Sequence, residues 1–145
     1  MRLMTIILSF ALLSGCGLLD QVNDTVDYGK EVKGYTDKMS GYADELSPYL
    51  DKKSVNEEDL QHLKGLMDEA ETDIRAFNEL EPPSVAEGIH GEIEHHNDQI
   101  LEAIDEANRQ MDSGQFDPSA FEEMELVKSI KKVQQYRDEI ENVLP

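Results

Sequence analysis

The side chains in this sequence that could do chemistry are 4 histidines, 32 carboxylates, 1 cysteine and a row of tyrosines. Glu92-x-x-His95, with His96 beside it, is half of the pattern that builds two-metal carboxylate sites in four-helix bundles. There an i, i+3 pair turns both ligands to one inward face. The other half is missing. That chemistry needs a second Glu-x-x-His and two more inward glutamates, and His62 is preceded at this spacing by Asp59. No two histidines stand four apart on one helix face. The metal reading therefore shrinks to an adventitious site at Glu92, His95 and His96, weighed against a solvated polar helix face. Nucleophilic catalysis fares no better, for there is no Gly-x-Ser-x-Gly elbow and no phosphate-cradling glycine loop. Carboxylates abound, but hydrolysis of the glycosidase kind needs two held at a defined separation. No cofactor motif is present, and a non-catalytic protein is expected.

The cysteine has a more specific setting. Arg2, an apolar run from Leu3 to Leu13 and then small residues read as a secretory leader. The run is short of the roughly 20 residues that span a bilayer. Its end, Leu13-Ser14-Gly15-Cys16, resembles the lipobox of bacterial lipoproteins. That implies a diacylglyceryl group, with acyl chains such as palmitate, on the Cys16 thiol and cleavage just before it. Residues 1–15 are then the leader, and 16–145 are one domain fixed by lipid to the extracytoplasmic face of the cell membrane. With 1 cysteine no intrachain disulfide forms.

Arg2 leaves with the leader, so the mature chain carries 12 basic against 32 acidic residues, a net −20 with neutral histidines. Nucleic acid is excluded as a partner, because binding it needs a basic footprint. The surplus reads first as a solvated, non-sticky surface and second as a binder of cationic ligands or divalent ions. That second reading centres on the acidic helical face around Glu92, Glu94, Asp98 and Glu102. From Leu126 to Arg137 the sign reverses, with Lys128, Lys131, Lys132 and Arg137 and no acid. Pairing with the acidic face is one reading of this patch, and docking a partner is the other.

These residues must be positioned by helices. Leu19, Val22 and Val26 fall at helical spacing, the phase slips around Gly29, and a heptad seam resumes as Val32, Tyr35, Met39, Tyr42, Leu46 and Tyr49. Tyr28, Tyr35, Tyr42 and Tyr49 stand seven apart within an internal repeat. They are a coiled-coil seam or the aromatic anchors of an interaction face. Pro48 bends or ends this helix, placing it at about 21–47. A second helix, capped by Ser54 with Glu57, carries Leu60, Leu63, Met67, Ala70, Ile74 and Phe77 and stops at Pro82-Pro83. A third, capped by Ser84 with Glu87, carries Ile89, Ile93, Ile100, Ile104, Ala107 and Met111, with His96 or Asn97 filling the gap. Asp112-Ser113-Gly114 ends it. Asp117-Pro118 opens a fourth, bearing Phe121, Met124, Val127, Ile130, Val133, Tyr136, Ile140 and Leu144. Short connections favour antiparallel neighbours. The fold class expected is all-α, an antiparallel up-and-down bundle of four helices.

Cys16-Gly17-Leu18-Leu19-Asp20-Gln21-Val22-Asn23, Phe77-Asn78-Glu79-Leu80-Glu81-Pro82-Pro83, His90 and His95-His96-Asn97 together resemble the small uncharacterised helical lipoproteins of Bacillus-type bacteria. The resemblance implies the anchor, the helical body and a Gram-positive host, and it carries no activity. The function expected is a membrane-anchored structural or protein-interaction module whose partner is another envelope protein. The alternative is the binder of a cationic ligand or divalent metal.

Overall fold

The computed structural model describes residues 16–50, 52, 54–118 and 126–143. The leader 1–15 and Phe121, Met124 and Leu144 lie outside the described residues, as do the side chains of Leu19, Val22 and Ile140. Four helices follow in order: α1 (Cys16–Leu50), α2 (Glu57–Asn78), α3 (Glu87–Ser113) and α4 (Leu126–Val143). Each packs on its neighbours in sequence and α4 closes back on α1, which gives the expected up-and-down bundle. No strand occurs among the described residues.

The core rows explain this packing. On α1 the row runs Thr25, Tyr28, Val32, Tyr35, Met39, Tyr42, Leu46 and Tyr49, in strict steps of three and four. The phase slip expected at Gly29 is absent. Thr25 is buried and Val26 is exposed, so the seam runs unbroken through a polar residue. On α3 the row is Ala86, His90, Ile93, Asn97, Ile100, Ile104, Ala107 and Met111. His90 takes the place expected for Ile89, which is only half-buried. The two helices thus bury polar side chains at heptad positions, and those must find partners.

Helix ends also differ from expectation. α1 begins at Cys16 and runs through Pro48 to Leu50. A proline in the last turn forfeits a single helical hydrogen bond, and Tyr49 and Leu50 still pack on the core. The capping box of α2 is Asn56 with Asp59, not Ser54 with Glu57. The Asp59 N–H donates to Asn56 Oδ1 at 2.8 Å, and the Asn56 N–H donates to Asp59 Oδ2 at 3.2 Å. Lys52 also pairs with Asp59 at 2.8 Å; that bond and the Asn56 N–H hold its carboxyl below the usual range. α3 has no side-chain cap at all. Its N-cap is Ala86, sunk in the core, whose N–H bonds Pro83 O at 2.8 Å in the turn before the helix. Gly114, at φ 69°, closes α3 in the left-handed conformation that favours glycine. Pro118 is helical, as its sequence setting expects.

No helix among the described residues is long and apolar enough to cross a membrane.

Candidate functional site

Each tyrosine of the α1 row finds a polar partner on another helix. The Tyr28 hydroxyl meets His90 Nδ1 at 2.9 Å, and the Tyr35 hydroxyl donates to Asn97 Oδ1. Both pairs are separated by 62 positions, so one heptad on α1 matches one heptad on α3. This is the parallel alignment of the two helices across the bundle diagonal. The next two tyrosines address α2 instead. Tyr42 donates to Asp73 Oδ2 at 2.6 Å, and Tyr49 meets His62 Nδ1 at 3.1 Å with the Lys52 ammonium 4.7 Å from its ring centre. A strict heptad drifts by about 20° per repeat around a straight helix, so over three repeats the row turns from one neighbour to the next.

The upper pairs extend into a polar and aromatic cluster. The Asn97 amide donates to Asn78 Oδ1 at 2.7 Å. Phe77 lies between Tyr35 and His90, with ring centres 4.3 and 4.8 Å away and near-parallel planes. The Phe77-Asn78 step at the end of α2 is therefore a wedge into the core. Among the described residues, no buried side-chain nitrogen or oxygen lacks a hydrogen-bond partner.

Charge in this cluster follows from burial. Burial holds His90 below its usual range, against the pull of Glu94 in the other direction. Glu94 Oε1 lies 3.6 Å from Nε2, which assigns the proton of the neutral ring to Nε2 and leaves Nδ1 to accept from Tyr28. Burial, with Glu94 adding to it, pushes the Tyr28 hydroxyl well above its usual range, and burial does the same to Tyr35. Carboxylate, imidazole and hydroxyl stand in the order of a nucleophile relay. The hydroxyl at its end is buried, and the pair keys α1 to α3.

Of the candidate interaction face, Tyr28 and Tyr35 are each 6% exposed and offer nothing to a partner. Their rings fill the seam because a heptad position between helices is interior by geometry. Tyr42 and Tyr49 are half-buried. Of the metal candidates, His95 and His96 stay side by side, with ring centres 5.6 Å apart. His95 and Glu92 are exposed, and His96 Nδ1 bonds Gln99 Oε1 at 3.0 Å. Among the described residues no three His, Cys, Asp or Glu side chains come together as a metal could require. Sequence reasoning missed His90 as a core residue. The available signal was its seven-residue spacing from Asn97, equal to that between Tyr28 and Tyr35.

The family of unknown function DUF6376 matches residues 28–143, which starts at the first tyrosine rung and takes in the whole bundle beyond it. An uncharacterized lipoprotein of Bacillus subtilis (strain 168), YybP, is 33% identical over 143 residues, covering 97% of each chain. No solved structure matches the chain. On both grounds the chain belongs to the DUF6376 family of unknown function.

Proposed function

We propose that this protein is a lipid-anchored protein of the extracytoplasmic face of the cell membrane, acting without catalysis as an interaction module of the envelope. The observation that carries the reading is the continuity of α1, helical from Cys16 into the core of the bundle. A lipid on Cys16 would be joined to the body by helix rather than by a loose linker. From Cys16 to Tyr28 the helix rises about 18 Å, at 1.5 Å per residue. The leader ending at Gly15 and the name of the Bacillus subtilis relative support the anchor. Two or three acyl chains make such an anchoring stable rather than transient. The satisfied core, with its histidine and tyrosines turned inward on each other, supports a non-catalytic role.

Cys16→Ser tests the anchor. It should leave uncleaved precursor or free protein, and mass spectrometry of the wild-type N-terminus should find diacylglycerol on the thiol; a variant still processed and membrane-bound would overturn it. Photo-crosslinkers at exposed Lys38, Gly91 and Lys131 test the interaction role in living cells. Capture of one envelope protein from any of these faces supports it, and capture of none from all three overturns it.

A further inference from the structure

A surface groove lies between α1 and α2. It consists of three adjoining clefts of about 580, 220 and 580 Å³. The first and second share Lys38 and Asp73, and the second and third share Glu31 and Leu80. Along α1 it extends from Asp27 to Glu45, about 27 Å at the helical rise.

Its walls are acidic. Glu31, Glu45, Asp68, Glu69 and Glu81 line it and none forms an ion pair with a described residue, while its cation, Lys38, is held by Asp73 at 2.6 Å. Apolar atoms of Tyr42, Ala76 and Leu80 line it between those carboxylates.

Two glycines of α1, Gly34 and Gly41, open into the groove one heptad apart. A Cβ built at either meets nothing within 4 Å, so the packing of the chain itself does not ask for glycine there. Each nonetheless costs the helix about 1 kcal/mol relative to alanine. Small residues repeated along one helix face let a second helix backbone come close. A linear polyamine would need the carboxylates alone, whereas glycines two helical turns apart serve a ligand with the bulk and period of a helix. A second copy of this chain, also near −20, would approach against like charge.

We propose that the α1–α2 groove binds a basic amphipathic helix of a partner protein. The apolar stripe of that helix lies over Gly34, Gly41 and Leu80, and its lysines or arginines face Glu31, Glu45, Asp68 and Glu69. This rests on the reading of the protein as an interaction module and names the chemistry of its partner.

The test is titration calorimetry on the full mature protein in detergent, at physiological ionic strength. The probe is a lysine–leucine amphipathic peptide about 18 residues long, matched to the groove. Controls are the same composition scrambled to spread lysine around the helix, and spermine. The amphipathic peptide should bind one to one, about tenfold or more tighter than either control, a margin of about 1.4 kcal/mol. Gly34→Leu with Gly41→Leu should remove that margin, and Glu45→Lys with Glu69→Lys should weaken binding. Gly34→Ala with Gly41→Ala should raise the unfolding midpoint, which shows that the space is open in the folded chain. Equal binding of the controls reduces the groove to counterion attraction and overturns the proposal. So does binding that the leucine variant leaves intact, or self-association without peptide that this variant abolishes. If no peptide binds but crosslinkers on α3 or α4 capture a partner, the groove assignment fails and the interaction role stands.

Discussion

Tyr35 on α1 donates its hydroxyl proton to Asn97 on α3 across the diagonal of the bundle, and Asn97 passes its own amide proton to Asn78 at the end of α2. Three helices are thus keyed by one buried side chain. Asn97→Leu strands the Tyr35 hydroxyl and the Asn78 oxygen, at a cost of about 1–3 kcal/mol. Urea unfolding should show that loss, and Tyr35→Phe added to Asn97→Leu should restore part of it. A single variant as stable as wild type would mean that the pair does not hold the register.

His90 gives the fold a pH dependence of known sign. Its folded value lies below the usual 6.5, so the unfolded chain takes up the proton first. Its effect is nil above that value. Stability falls as pH drops through 6.5, and the loss levels off once the folded ring protonates as well. Protonation of surface carboxylates acts the other way at lower pH by relieving repulsion, so the comparison must be with His90→Gln. Between neutral and mildly acidic pH the wild type should lose more stability than the variant. Parallel curves would show that His90 titrates alike in both states.

The start of α2 is set by Asn56 and not by Ser54. Asn56→Ala should cost about 1 kcal/mol, the usual value of an N-cap. Ser54→Ala should leave the unfolding midpoint where it is. The reverse order would place the cap two residues earlier.

Salt should stabilise the protein. A surface near −20 repels itself, and the screening length shrinks from about 30 Å at 0.01 M to about 8 Å at physiological ionic strength. The unfolding midpoint should rise over that range. The native ion pairs, such as Lys38–Asp73 and Arg137–Asp37, are exposed on at least one side and worth little each. A falling midpoint would show that they outweigh the repulsion.

Much of this architecture is legible in the sequence, and the exceptions share one cause. The apolar steps from Leu60 to Phe77 and from Ile100 to Met111 locate their helices and core faces directly. Thr25, His90 and Asn97 break the apolar pattern while lying on it, so the first two escape notice and the third remains one of two choices. A polar residue in a seam reads as surface until its partner is known, and for His90 and Asn97 that partner is 62 positions away. The caps fail differently. Ser54 with Glu57 and Asn56 with Asp59 have the same spacing and near-equal intrinsic worth, so packing decides between them. At Ala86 packing decides against any side-chain cap, because the position is core. In the sequence, Gly34 and Gly41 read either as room for a close-packed neighbour or as weak points of a helix. Their placement beside acidic clefts depends on α2 and was not in the local sequence.

The unbroken run of α1 from Cys16 has a mechanical corollary. With the proposed lipid on Cys16, a helix that joins anchor to body works as a ruler with both length and phase. Deleting seven residues between 17 and 24 would lower the body by about 10.5 Å and turn it by only about 20°. Deleting two would lower it by about 3 Å but swing the α1–α2 groove through about 200°, to the opposite side of the mast. If the groove has a membrane-bound partner, the short deletion should be the more damaging one, because bearing rather than height would be lost.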